Sequence, residues 1–235
     1  MIPTYPAISR LHRVPVPHTN DAVYALTADG RRWIAKREAD MGFEALLAEA
    51  VAWLLGRLIG VRAPDAAFCD DPAERAWLGA CIPDVSHWFP APGGVANAAE
   101  VGAMLAIDAW MLNEARHSRN ILAEGPLAGA VRLWAIDADE ALVGHIDDYI
   151  ARLGDVPSVH NHARGLPIGE LASATQAAAR RTAGLPVAEV RERVEAACTL
   201  AREPRAGELA DAAIRRAGAF PDIVEHYLRD LQALQ

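Results

Sequence analysis

The amino-acid sequence predicts a two-lobed α+β fold: a small β-rich lobe with one helix set into it, residues 1–82, and a larger, mostly helical lobe over 83–235. Three observations carry this expectation. Short apolar runs separated by polar turns fill the first third, turn formers cluster at Pro92, Gly93 and Gly94, and beyond them apolar residues recur at helical spacing. With 235 residues, 52% of them hydrophobic, the chain has ample material for a core.

In chain order, 22–26 and 33–36 are apolar runs on either side of "ADGR", whose Asp29-Gly30 pair is a hairpin signal, and Lys36 falls at the end of the second run. The next block, 40–60, reads as a helix. Phe43, Leu46, Leu47, Ala50, Val51, Leu54 and Leu58 recur at helical spacing, with Asp40 placed to cap the start and Gly60 to stop it. "PDAAFCD" and "RAWLGACI" read as strands joined by the turn "DPAE". Past the turn cluster, "NAAEVGAMLAIDAWMLNEA" opens with Asn97 as N-cap and Glu100 three residues later, a capping-box arrangement, and is almost wholly apolar, as a central buried helix would be. "RNILAEG" and "AVRLWAID" form a hairpin, and helices are expected over 168–182, 187–200, 206–217 and 221–233. The Arg180-Arg181 and Arg215-Arg216 pairs read as solvated helix faces.

The formal net charge of -8 and pI near 5.5 argue against binding nucleic acid or an anionic membrane surface, which both need a positive field. No apolar stretch is uninterrupted long enough to span a bilayer, and the N-terminus has no apolar run behind a positive flank. Cys69, Cys81 and Cys198 are widely separated in apolar context, which fits reduced thiols in a soluble, cytoplasmic protein.

Four polar residues stand out against these apolar elements: Lys36 on a strand, Glu49 on the following helix, Asn120 after the buried helix and Asp137 ending an apolar strand. Phosphoryl transfer from ATP needs a lysine on the phosphates, an acid holding that lysine, and an asparagine and an aspartate carrying magnesium, and protein kinases present them in this chain order. A strand-end lysine alone is ordinarily solvated. On a helical wheel the leucine stripe lies opposite Glu49, and Glu44 sits nearer its edge, so Glu44 is the alternative partner. An acid directly after "LWAI" is disfavoured unless paired or metal-bound, and Asp139 could share its site. His160 and His162 show no third ligand and read as part of a polar loop.

The stretch "LNEARHSRN" resembles the catalytic loop of the HipA-like branch of the protein kinase-like fold, which reads Asn-x-Asp-Arg-His-x-x-Asn. Asn113, Arg116, His117 and Asn120 match that loop, Ile136-Asp137 the metal strand, and "WIAK" the lysine strand. Glu49 lies where the family's Asn-Glu…Gly-Leu-Pro pattern would place it, before the Gly60 of "GVRAP". The resemblance extends weakly over most of the chain. It implies ATP and magnesium between two lobes, with Lys36 and Glu49 on the nucleotide side and Asn120 and Asp137 as metal ligands. It further implies adenine contacts from Leu78 and Gly79 of "WLGAC", a packing role for His117, and a serine or threonine acceptor on a protein or peptide.

Two departures stand beside it. The phosphate-loop region "VPHTNDAV" has no glycine, leaving Thr19 and Asn20 to bind phosphate through side chains and amides. Ala115 occupies the position of the aspartate that accepts the substrate hydroxyl's proton. Three explanations fit: a nucleotide-binding pseudokinase, an enzyme using Glu114 or a substrate group instead, or a chain whose aspartate was replaced to trap a complex. A small-molecule kinase on the same fold is a further reading.

Overall fold

The computed structural model describes residues 2–5, 8–13, 22–90, 93–126, 128–159 and 165–234. Its N-terminal part is a six-stranded sheet of β1 (Thr4–Tyr5), β2 (Arg10–Arg13), β3 (Val23–Leu26), β4 (Arg32–Arg37), β5 (Ala66–Cys69) and β6 (Ala76–Ala80), in the order β1-β5-β6-β4-β3-β2. All pairings are antiparallel except β1 with β5. Alternation along the strands assigns the two faces. Val23, Ala25, Trp33, Ala35, Ala76 and Leu78 bury into a small core on one side. Tyr24, Ile34, Lys36, Trp77 and Gly79, each one residue out of phase, line a cavity on the other. The Asp29-Gly30 signal marks the β3–β4 turn, where Gly30 takes the left-handed φ of 81° and Asp29 Oδ1 accepts from the Thr27 hydroxyl at 2.5 Å and the Arg31 N–H at 3.2 Å.

Two helices follow β4, a four-residue α1 (Glu38–Met41) and the long α2 (Phe43–Ile59). The expected cap at Asp40 is corrected here. Asp40 lies inside α1 and accepts from Arg37 Nη2 at 2.9 Å, while α2 starts after Gly42, whose φ of 84° lets the chain turn between the helices. At the other end Gly60, with φ 91°, terminates α2 where the sequence placed the stop.

A second, three-stranded sheet joins β7 (Val85–His87) to the β8 (Ile121–Glu124) and β9 (Arg132–Ala135) hairpin in the order β7-β8-β9. The rest is helical: α3 (Ala98–Trp110), α4 (Ile146–Ala151), α5 (Ile168–Ala183), α6 (Val187–Ala201), α7 (Ala206–Gly218) and α8 (Phe220–Ala233). Helix α3 is buried from Val101 to Trp110 and crosses α5 closely, because a Cβ at Gly102 would lie 2.6 Å from the Ala174 carbonyl carbon. Asn97 precedes α3, but its side chain does not cap the helix. It donates to Glu100 and to the Leu133 carbonyl and accepts the Leu133 N–H at 2.9 Å, tying the helix start to β9.

One apolar core runs through the molecule. Leu46, Leu47, Val51, Leu54 and Leu55 of α2 belong to the same cluster as Met104 and Trp110 of α3, Val194 of α6 and Phe220 of α8. Arg216 corrects the solvated reading of the second arginine pair. It is buried, and its fork donates to the carbonyls of Ala109, Trp110, Leu153 and Asp155, which satisfies the end of α3 and fastens the segment after α4. Cys69 and Cys198 are buried free thiols, and Cys81 is exposed. Among the described residues no helix is long and apolar enough to cross a membrane.

Candidate active site

Beneath the six-stranded sheet lies a cavity of about 740 Å³, bounded by β3, β4 and β6 above, α2 behind, residues 80–82 at the side and residues 116–120 and 135–138 below. Lys36 enters it from β4. Its Nζ donates to Glu49 Oε1 on α2 and to Asp137 Oδ1, and lies 3.7 Å from Asp139 Oδ1. The solvated position usual for a strand-end lysine is therefore not the one observed. Burial disfavours the ammonium, yet Glu49, Asp137 and Asp139 outweigh it and hold its pKa above the ordinary lysine value.

Glu49 is buried on the side of α2 that meets this lysine, and its Oε1 also accepts the Ala138 N–H at 3.1 Å. Glu44 points elsewhere, to 3.9 Å from His145 Nδ1. The leucine stripe misled the helical-wheel estimate because α2 is buried on several sides, including the one bearing Glu49.

Asp137 and Asp139 titrate in opposite directions. Burial pushes the Asp137 carboxyl up, but Lys36, the hydrogen bond with Asp139 and Arg116 together reverse this and leave it at about 2. For Asp139 burial prevails over Lys36 and raises the carboxyl to about 7. The neighbouring acids thus share one proton and one charge. Asp137 also has a φ of 61°, a conformation costly for a residue with a Cβ and one found often at functional sites.

A buried ion pair holds the loop beneath the cavity. Arg116 donates to both Asp108 carboxylate oxygens at 2.9 Å, Asn113 Nδ2 adds a bond to Asp108 at 2.8 Å, and Arg116 Nη1 reaches the carbonyls of Asn120 and Ile136. One guanidinium therefore fixes the spacing between Asn120 and Asp137. Asp108 was missed in the sequence. Its signal was there, a lone acid inside "AIDAW", and it is the same signal that singled out Asp137.

The buried Asn120 donates from Nδ2 to the Ala115 carbonyl at 2.9 Å, while its Oδ1 is enclosed without a hydrogen-bond partner. Glu49, Asp137 and Asp139 bring carboxylate oxygens within 4.8 Å of one another, and Asn120 lines the same cavity as Glu49 and Asp137. Clustered carboxylates and an orphan oxygen acceptor on one cavity are donor types suited to a hard divalent cation.

The remaining expected residues divide. Gly79 lines the cavity, but Leu78 buries its side chain on the opposite face of β6, an interior strand already paired on both edges. Cys81 and Ile82, which follow β6, line the cavity as well. Thr19, Asn20, His160 and His162 lie outside the described residues. Glu114 accepts from Arg152 Nη2 at 2.8 Å and the Ser158 N–H at 3.1 Å, and it does not line the cavity. Ala115 is half-buried, its N–H donating to Asn113 Oδ1 at 3.1 Å, and it too stays out of the cavity wall. His117 does line it. Burial lowers its pKa against the pull of Asp137, and its Nδ1 is enclosed and unpartnered.

A second cavity of about 650 Å³ lies on the other side of residues 80–82. In its wall Arg62 is stacked 3.7 Å from the Trp134 ring centroid and lies 3.3 Å from Glu124 and 3.9 Å from Glu100.

No family model matches the sequence, and no curated protein matches it. Solved structures do. The Helicobacter pylori proinflammatory kinase CtkA aligns at TM-score 0.66 and 10% identity, over 97% of this chain and 99% of that one. The Golgi casein kinase aligns at 0.59 and 12%, over 98% and 73%, and the Golgi casein kinase with Mn/ADP bound at 0.55 and 12%, over 98% and 74%. These likenesses, to two kinases, do not single out the HipA-like branch. With its β-sheet N-terminal part and helical C-terminal part, the chain carries a protein kinase-like fold.

Proposed function

We propose that the chain is a kinase-fold phosphotransferase that binds ATP with magnesium in the cavity beneath the six-stranded sheet. The observation that carries this reading is the convergence of Lys36, Glu49 and Asp137 from β4, α2 and the residues after β9, across 101 positions of sequence. Glu49 holds Lys36 where an ammonium can meet phosphate oxygens, and Gly79, Cys81 and Ile82 offer a strip of wall for the base. Asn120 and Asp137 would hold magnesium, which would neutralise phosphate charge as it does in kinases generally. The HipA-like spelling of the loop supports the finer reading, and the Golgi casein kinase with Mn/ADP is a solved example of this fold with nucleotide and divalent metal.

A second reading, a nucleotide-binding pseudokinase, is favoured by Ala115 and by the engagement of Glu114 with Arg152. A serine or threonine on a protein or peptide, the acceptor implied by the resemblance, would need the carboxylate that this loop lacks.

Calorimetric titration with ATP, with and without magnesium, tests the site. Binding is expected only with the metal, because the phosphates otherwise face Glu49, Asp137 and Asp139 with Lys36 alone to offset three carboxylates. Equal binding in both conditions, or none in either, rejects the site.

A further inference from the structure

We propose that the phosphate acceptor is an oxyanion, a carboxylate or a phosphate already ionised at neutral pH, held at the cavity mouth by Arg119. The proposal rests on the magnesium-ATP reading above and names the acceptor for that same site.

Accepting a proton is the task of the loop carboxylate in kinases, and no carboxylate lining this cavity is free to do it; His117, the one loop imidazole in the wall, has its Nδ1 enclosed. Among the described residues, the carboxylates lining the cavity are Glu49 and Asp137, and both are bonded to Lys36. Glu114 is turned away onto Arg152 and Ser158. The backbone around Ala115 is fixed by bonds from its N–H to Asn113 Oδ1 and from Asn120 Nδ2 and the His117 N–H to its carbonyl, so Glu114 cannot swing inward without breaking several of them.

The cations are distributed differently. Lys36 and Arg116 are consumed by Glu49, Asp137 and Asp108, whereas Arg119 lines the cavity, is exposed, and pairs with no described carboxylate, in a chain of formal net charge -8. His87 faces the same opening from β7. An unspent guanidinium beside a loop that offers no carboxylate to the cavity fits an acceptor that brings a charge and needs no deprotonation.

The step balances without a proton acceptor. A lone pair on the acceptor oxygen forms the new bond to the γ-phosphorus, and the bond from that phosphorus to the β,γ-bridging oxygen breaks with its electron pair leaving on ADP. A carboxylate yields an acyl phosphate and orthophosphate yields pyrophosphate.

The experiment incubates the full chain and magnesium-ATP with acetate, orthophosphate, glycerol or a serine peptide. Acyl phosphate is trapped with hydroxylamine, pyrophosphate is measured directly, and transfer to hydroxyls is followed by labelled phosphate. Turnover is expected with acetate or orthophosphate, the two arms separating the sources, and not with glycerol or the peptide. With acetate the rate should be flat between about pH 6 and 8, since the carboxylate is ionised throughout. Arg119→Ala should raise KM for the oxyanion about tenfold or more and leave ATP affinity unchanged by calorimetry, with Arg119→Lys recovering part of the loss. Ala115→Asp should shift preference toward hydroxyl acceptors. Hydroxyl transfer by the unaltered chain, or a limb near neutral pH that vanishes in His117→Asn, overturns the proposal. So does the absence of oxyanion turnover in a chain that binds magnesium-ATP, a result that leaves the nucleotide site standing, whereas loss of ATP binding itself rejects both readings.

Discussion

Three carboxylates converge on Lys36, so truncating it does more than empty a contact. Lys36→Ala strands Glu49, Asp137 and Asp139 together in a buried site, and removing one partner from such an arrangement typically costs about 3–5 kcal/mol. A lowered melting temperature is expected without ligand, and magnesium should raise it more in the variant than in the parent, because a divalent cation can replace the missing charge. If magnesium moves both equally, the acids do not form a common cation site. Asp139 makes a second prediction with a definite sign. Its folded pKa of about 7 lies above the usual aspartate value, so its contribution to stability is complete below that usual value and is lost as pH rises through 7. In metal-free buffer Asp139→Asn should remove a slope of at most about 1.4 kcal/mol per pH unit, the limit for one proton. Denaturant midpoints between pH 4 and 8 measure it, and an unchanged slope would show that Asp139 is ionised throughout. The identities of Lys36, Glu49, Asn120 and Asp137 stood out in the sequence because each is a polar residue in an apolar element. The Lys36–Glu49 contact followed from the expected order, whereas the buried bonds of Arg116 and Asp108 that fix Asn120 against Ile136 leave no spacing pattern.

Among the elements, the long helices were legible because period and composition agree: α5 to α8 begin and end within about two residues of the segments expected, the ordinary uncertainty of helix ends. Short elements were not. The strands β1, β2 and β7 have two to four residues each, too few to show alternation, and they exist because neighbouring strands complete their hydrogen bonds. The capping signals failed for different reasons: Asp40 lies inside a short extra helix and pairs locally with Arg37, whereas the Asn97 side chain is drawn to the Leu133 backbone of β9. The crossing of α3 and α5 gives the prediction at this scale. Gly102→Ala places a methyl 2.6 Å from the backbone of Ala174, an approach that no rotamer relieves, and overpacking of this kind costs about 1–3 kcal/mol. Thermal unfolding checks it. A neutral result would mean that the two helices separate without penalty.

For the molecule as a whole, the passage from sheet to helices near residue 82 describes the chain and not its packing. Helix α2 precedes that point in sequence, yet its leucines share one core with α3, α6 and α8, while the outer face of the sheet has a separate small core of its own. Amide hydrogen exchange should therefore resolve two cooperative units, with α2 protected alongside α3 and α6, and with β2 and β3 opening earlier. Exchange of α2 together with β3 would contradict this partition. If it holds, the two ends of the Lys36–Glu49 pair are anchored in different units, the lysine in the more yielding one and the glutamate in the more rigid. On the proposed function that pair would work as a gauge across the gap: a nucleotide drawing Lys36 onto its phosphates would tug on the sheet, and the energy of opening would be set by how loosely the small outer core lets β4 tilt.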